Sequence, residues 1–496
     1  MPLMPVSMSG FKQSGFLPRI VCSAGGAVSG VVHSTVAMFV LLYYNVALDV
    51  SAGLVSTALA IAIMFDAVSD PLVGHVSDNL RTRWGRRLPL MYIAIVPVTI
   101  LFYALWNPPI GTLGSVALFI YLLVVIIALR LSMTLFEVPF NAVVPELTTG
   151  YDERTRLSVY RVAANWTITT VFVMLLYGFW LSPTPEFPNG LHNASGYARM
   201  GFVGSIIVFV LMLIAVVTLG LTGSHPHQGK VSSRTRHKWS IQVMFRAVRS
   251  VWLNPALKRL ALTTCLVSLS FSIYGAMSGY MYTYFWELTT TEISGLSLMW
   301  GVGVAAGFLF APLIYRGRDK KAVIVFALVW LGILEAVAPF LRLVGWFPDS
   351  GSTFYYSLLM CHAAADMCFY IIVIAILGSM FADLVEVREH ASGNREEGTI
   401  YSAQTLVTKV SAGGGVWLVG LILLFSGFPS GVEEVSADTV RSLGIAQIVV
   451  VLACYPLAAF AVLRVPVDRE NHNERLKLLL GNHESQSPGT LSGNVE

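Results

Sequence analysis

Two aspartates four residues apart, Asp66 and Asp70, lie inside a long apolar run. On a helix this spacing puts both carboxylates on one face. Anions so close in a low-dielectric medium repel, and a bound cation or a shared proton relieves the repulsion. Thr134 and Glu137, three residues apart in another apolar run, add a hydroxyl and a third carboxylate. Hard oxygen donors of this kind suit Na+ or a proton rather than a transition metal. Asp66 with Asp70, and Thr134 with Glu137, are therefore two candidate sets of cation ligands, with the three carboxylates as the metal-ligating members. The bland alternative is that the aspartates pair with structural arginines. Arg130, two turns before Glu137, reads as the balancing charge of Glu137, and Arg161, at the start of a span, as simple positive-inside charge. Lys409 stands alone in an apolar run and needs an anionic partner. Gly413, Gly414 and Gly415 beside it would let another helix approach closely. Glu335, His362 and Asp366 are further polar residues in apolar surroundings, structural or functional, and His33 reads as a packing residue.

The elements holding these residues are membrane spans. Of the 496 residues 55% are hydrophobic and 12% charged, half the charge of a soluble chain. Twelve apolar runs are predicted to be transmembrane helices: 16–44, 52–76, 90–107, 115–145, 157–181, 201–222, 258–286, 292–315, 322–342, 353–381, 400–426 and 441–464. The fourth and tenth are long enough to tilt or protrude. No run alternates with period two, which argues against an outer-membrane barrel. Lys and Arg gather in alternate loops: Arg81, Arg83, Arg86 and Arg87 after the second span, and Arg316, Arg318, Lys320 and Lys321 after the eighth. That asymmetry places both termini in the cytoplasm. The chain divides into an N-terminal six-helix bundle, 1–222, a cytoplasmic linker, 223–257, with an amphipathic helix around Trp239–Trp252, a second bundle, 258–464, and a cytoplasmic tail, 465–496. The two halves echo each other, Gly74–Asp78 before one basic cluster and Pro312–Lys321 at the same place in the other. The five cysteines have no zinc-like spacing. The N-terminus lacks a short apolar core followed by a cleavage site, so no cleaved signal peptide is expected. No phosphate-binding Gly-Lys loop, His-Glu-x-x-His or Gly-x-Ser-x-Gly occurs, so neither ATP-driven pumping nor an enzyme is indicated.

Asp66–Gly74 with Ser77–Pro89, Glu137–Thr148 with Asp152–Arg161, and Ser392–Gly398 with Gln404 and Lys409 together resemble the glycoside–pentoside–hexuronide:cation symporters, the melibiose-permease-like branch of the major facilitator superfamily. The matches run in order from about residue 40 to 420. The resemblance implies an all-α membrane fold of two six-helix pseudo-repeats. It implies a cation site from Asp66, Asp70, Thr134 and Glu137 with Lys409 close by, and substrate contacts from Glu137 and Arg161. Asn141, Tyr370 and Lys409 complete the candidate substrate set. Three positions depart from the pattern: Glu137 replaces an aspartate, Asn141 a sugar-stacking tryptophan and Gly30 a sugar-binding aspartate.

The expectation is a secondary active transporter of the plasma membrane that carries a sugar, glycoside or related solute with Na+ or H+ by alternating access. No cofactor beyond the coupling cation, no nucleic acid and a monomer in contact with lipid are expected. Asp78, Arg81, Arg86 and Arg87 would form a latch between helices on the cytoplasmic side in the outward-facing state, with Asp383 or Glu386 as partner. The rivals are a cation-coupled carrier of a lysolipid or other amphiphile and a non-transporting membrane sensor.

Overall fold

Every described segment long and apolar enough to cross a bilayer forms a helix, because backbone amides in lipid must be satisfied within the segment. The computed structural model describes residues 16–80, 82, 84–111, 114–144, 147–148, 151–222, 253–392, 397–431 and 434–465. The predicted amphipathic helix within 223–252 and all but the first residue of the tail lie outside them. Twelve helices follow in order: α1 Phe16–Leu42, α2 Ala52–Asn79, α3 Leu88–Trp106, α4 Ser115–Val143, α5 Tyr151–Leu175, α6 Ala194–Leu221, α7 Pro255–Tyr280, α8 Thr290–Tyr315, α9 Lys320–Leu343, α10 Thr353–Ser392, α11 Glu397–Phe425 and α12 Ala437–Leu463. All twelve contain a candidate membrane span. The shortest, α3, has 19 residues, about 28 Å at 1.5 Å per residue and enough for a hydrocarbon core of about 30 Å. The 40 residues of α10 run well past it. Large apolar side chains such as Met64, Leu72, Ile93, Val116 and Leu309 are exposed, the surface that lipid covers.

The halves are pseudo-repeats. In the first, α1 packs on α5 and α6, α3 on α4 and α6, and α2 on α4; each relation recurs six helices later, as α7 on α11 and α12, α9 on α10 and α12, and α8 on α10. The helix ends repeat too. After α1, Tyr43–Ala47 form a π-helical turn and Asp49 takes a φ of 54°. After α7, Met281–Phe285 form the same turn and Glu287 a φ of 52°. Val50 N donates to Tyr44 O at 2.9 Å, and Leu288 N to Tyr282 O at 2.9 Å.

Between the halves α2 packs on α11, α5 on α8 and α1 on α7. These contacts gather at the ends of the helices away from the basic loops. Tyr280 Oη donates to Asn45 Oδ1 at 3.1 Å, Ser294 Oγ to Met174 O at 2.8 Å, and Gly431 N to Asn45 O at 3.2 Å. Towards the basic loops, Lys409 adds a cross-half polar contact in mid-helix.

Candidate functional site

Charge placement starts from helix direction. Helical side chains lean toward the N-terminus of their own helix, so Arg130 reaches away from Glu137, seven residues later in α4. Its Nη1 meets Asp66 Oδ2 of the neighbouring α2 at 2.9 Å. The expectation that Arg130 balances Glu137 is thereby corrected. Asp66 is 3% exposed, and its Oδ1 has no hydrogen-bond partner. One turn on, Asp70 accepts from Thr134 Oγ1 at 3.0 Å and from the Lys409 ammonium. Lys409 Nζ also lies 3.9 Å from Asp66 Oδ2. Two anions and two cations thus interlock α2, α4 and α11.

α11 can carry Lys409 this close because glycines remove side chains from both of its contact faces. A Cβ on Gly413 would meet Ile63 of α2 at 3.0 Å, and one on Gly415 would meet Ser272 of α7 at 2.7 Å. Ser272 Oγ donates to Ala412 O at 2.7 Å and fixes the register.

Glu137 takes its hydrogen bonds outside this cluster. Its Oε1 accepts from Ser29 Oγ at 2.5 Å and pairs with His33 Nε2 at 2.9 Å, both on α1. His33 is therefore a partner of the candidate site, not a packing residue. Among the described residues no three acidic, histidine or cysteine side chains converge as a metal ion requires. The expected metal site of Asp66, Asp70 and Glu137 is not assembled in this conformation: the aspartates and the glutamate take separate partners on different helices.

Arg161 of α5 donates from Nη1 to Asn141 Oδ1 of α4 at 2.5 Å, joining two candidate substrate residues. Gly30 does not sit where a ligand could be placed. A Cβ there would come 2.5 Å from the Asn165 carbonyl oxygen of α5. The close α1–α5 contact, not substrate, selects glycine at that position. Tyr370 of α10 stacks on Phe271 of α7 with centroids 3.9 Å apart and planes 9° apart, and Trp166 of α5 lies 6.5 Å from both rings. Spacing along the chain gave no sign of this trio, which spans three helices and both halves.

Residues 22–469 match the model of the MFS/sugar transport protein family. The chain belongs to that family. Similar proteins include an uncharacterised symporter of Synechocystis sp., 25% identical and covering 83% of this chain and 86% of its own. The inner membrane symporter YicJ of Escherichia coli is 22% identical over 90% of each chain. The lactose permease of Lactobacillus delbrueckii subsp. bulgaricus is 22% identical over 95% of this chain and 74% of its own. The solved xylose transporter XylE from E. coli superposes with a TM-score of 0.56 at 15% identity, covering 92% of this chain and 98% of that one. The resemblance to the glycoside–pentoside–hexuronide symporters is thus supported along the chain. The transporter is a multi-pass plasma-membrane protein with the major facilitator fold, and it is not an enzyme.

In the transporter two residues of the expected latch, Asp78 and Asp383, each have a partner within their own half. Asp78 lies 3.9 Å from Arg87, from the end of α2 to the start of α3. Asp383 of α10 pairs instead with Lys320 of α9, at 2.6 Å. That pairing lies within the second half, whereas the latch is an expectation about the outward-facing state. Arg81 and the side chain of Glu386 lie outside the described residues.

Proposed function

We propose that the transporter carries a sugar or glycoside inward together with Na+ or H+, and that the coupling cation binds at Asp66 and Asp70. The observation that carries this reading is the Lys409 ammonium held between the two carboxylates across the interface of the halves. Lys409 is on α11 of the second half; Asp66, Asp70, Thr134 and Arg130 are all on the first. A Na+ ion or proton that neutralises Asp70 competes with Lys409 for the same carboxylate, with the free Oδ1 of Asp66 and Thr134 Oγ1 as further oxygen ligands. Cation binding then removes the ion pair joining the halves in mid-membrane and frees them to rock. Arg130 keeps the buried Asp66 paired throughout.

Substrate is assigned to the space between the halves flanked by Glu137, Asn141, Arg161 and the Trp166–Phe271–Tyr370 trio. Carboxylate, amide and guanidinium suit sugar hydroxyls, and an aromatic face suits the apolar face of a pyranose. The lactose permease among the relatives supports a glycoside. The basic loops face the cytoplasm by the Lys/Arg asymmetry, so the conformation, closed at the opposite end, is inward-facing.

Uptake of radiolabelled lactose and xylosides into proteoliposomes, driven separately by a Na+ gradient and a pH gradient, tests the proposal. One gradient is expected to drive accumulation of at least one sugar, and Asp70→Asn to abolish it. Accumulation unaffected by either gradient, or full coupling retained by Asp70→Asn, overturns the assignment.

A further inference from the structure

The central site leaves two intramembrane carboxyls unexplained. Glu335 of α9 and Asp366 of α10 are each 3% exposed, inside membrane spans of the second half. α9 and α10 pack together, the Glu335 and Asp366 carboxyls are electrostatic neighbours, and Tyr274 on α7 adjoins Asp366. Glu335 Oε1 accepts from Tyr455 Oη of α12 at 2.7 Å. Glu335 Oε2 and Asp366 Oδ1 are buried with no donor. Among the described residues no Lys or Arg pairs with either group. The titratable groups around them are the phenols Tyr274, Tyr282, Tyr370 and Tyr455, the Cys454 thiol of α12, and His362 one turn before Asp366. The Nε2–H of His362 is committed to the Leu334 carbonyl at 2.9 Å.

An ionised carboxylate only accepts hydrogen bonds. Two of them side by side, buried and without a cation, satisfy each other only when a proton is shared between them. We propose that Glu335 and Asp366 form a proton-binding site in the second half, separate from the Asp66–Asp70 cluster, that holds one proton shared between the two carboxyls. The hydroxyls of Tyr274 and Tyr282 are 2.8 Å apart, and both line a small cavity with Ser278, His362 and Gln447. No covalent bond or electron changes hands: the proton comes from water and returns to it. Its loss leaves two adjacent buried anions between α9, α10 and α12, so the packing of the second half depends on pH through this pair.

Infrared spectroscopy of the purified full chain in lipid reads the proton directly, independent of substrate. The wild type at neutral pH is expected to show the C=O stretch of a protonated carboxylic acid, lost in the double variant Glu335→Gln/Asp366→Asn. The thermal midpoint of the wild type is expected to fall as pH rises above neutral, and that of Asp366→Asn to stay flat over the same range. Absence of the band in the wild type, or its persistence in the double variant, overturns the proposal. So does a pH dependence of stability that is identical in wild type and Asp366→Asn. Should the double variant not fold, the wild-type band and the single variants Glu335→Gln and Asp366→Asn decide the question. Glu335→Gln keeps an oxygen for Tyr455.

Discussion

A buried carboxylate is tolerated here only with its partner beside it. Removing one member of a buried ion pair typically costs about 3–5 kcal/mol, because the other charge is left uncompensated. Arg130→Gln leaves Asp66 with only the more distant Lys409 ammonium at 3.9 Å, and its second oxygen already lacks a partner. We therefore expect a clear drop in the thermal midpoint of the purified protein. The double variant Arg130→Gln/Asp66→Asn should recover most of the loss while losing cation-stimulated uptake; a double variant as unstable as Arg130→Gln alone would show that Arg130 acts elsewhere. Glu137 belongs to a different set of partners, Ser29 and His33. Glu137→Gln and His33→Ala are accordingly expected to weaken substrate affinity several-fold while leaving the cation concentration for half-maximal uptake near wild type. A parallel shift in both would restore a shared three-carboxylate site. The sequence pattern made the charged residues legible, because an acid or base in an apolar run stands out. Their pairing was not legible. Arg130 and Glu137 are close in sequence yet lean apart, and the partner of each lies on another helix, more than 60 residues away for Asp66 and more than 100 for His33.

At the scale of elements, glycines decide how near the helices come, and so which side chains meet. A Cβ on Gly26 would lie 2.2 Å from the Arg161 carbonyl oxygen, and one on Gly30 would lie 2.5 Å from that of Asn165. These two contacts, one turn apart, clamp α1 to α5 and hold Ser29 and His33 toward α4, where Glu137 waits. Gly26→Val must push α5 away, since a backbone oxygen cannot rotate aside as a side chain can. Overpacking of this kind costs about 1–3 kcal/mol. The expected result is a lowered thermal midpoint together with weaker substrate binding, measured on the same preparation. A Gly26→Val protein with wild-type stability and affinity would mean that the clamp does not position the site. The helices themselves were readable from hydropathy and length, and the glycines near Lys409 were readable as a close approach. Gly30 was not: counted along the chain it falls at a ligand position, whereas in three dimensions its α-carbon faces the α5 backbone.

The whole molecule is two similar bundles touching at one end, and its function requires that the contact move to the other. Hydropathy and the Lys/Arg pattern specify which residues cross the membrane, and the repeat of basic loops showed two halves. Neither says at which end the halves meet, because that depends on complementary surfaces between distant helices. At the closed end Gly178, in the turn after α5, faces Ser294 of α8: a Cβ on Gly178 would sit 3.1 Å from the Ser294 Cβ. Disulfides form with Cβ atoms about 3.5–4.5 Å apart, so a shift of a few tenths of an ångström joins them. In a background lacking the five native cysteines, Gly178→Cys/Ser294→Cys is expected to cross-link under mild oxidant and to block transport almost completely. Reduction should restore it. Binding of a substrate added from the side of the basic loops should survive the cross-link, since only the opposite end is tied. Each single-cysteine variant should transport whether oxidised or reduced. Continued uptake by a fully cross-linked protein would show that the α5–α8 contact need not open, and alternating access by separation of the halves at this end would then be wrong.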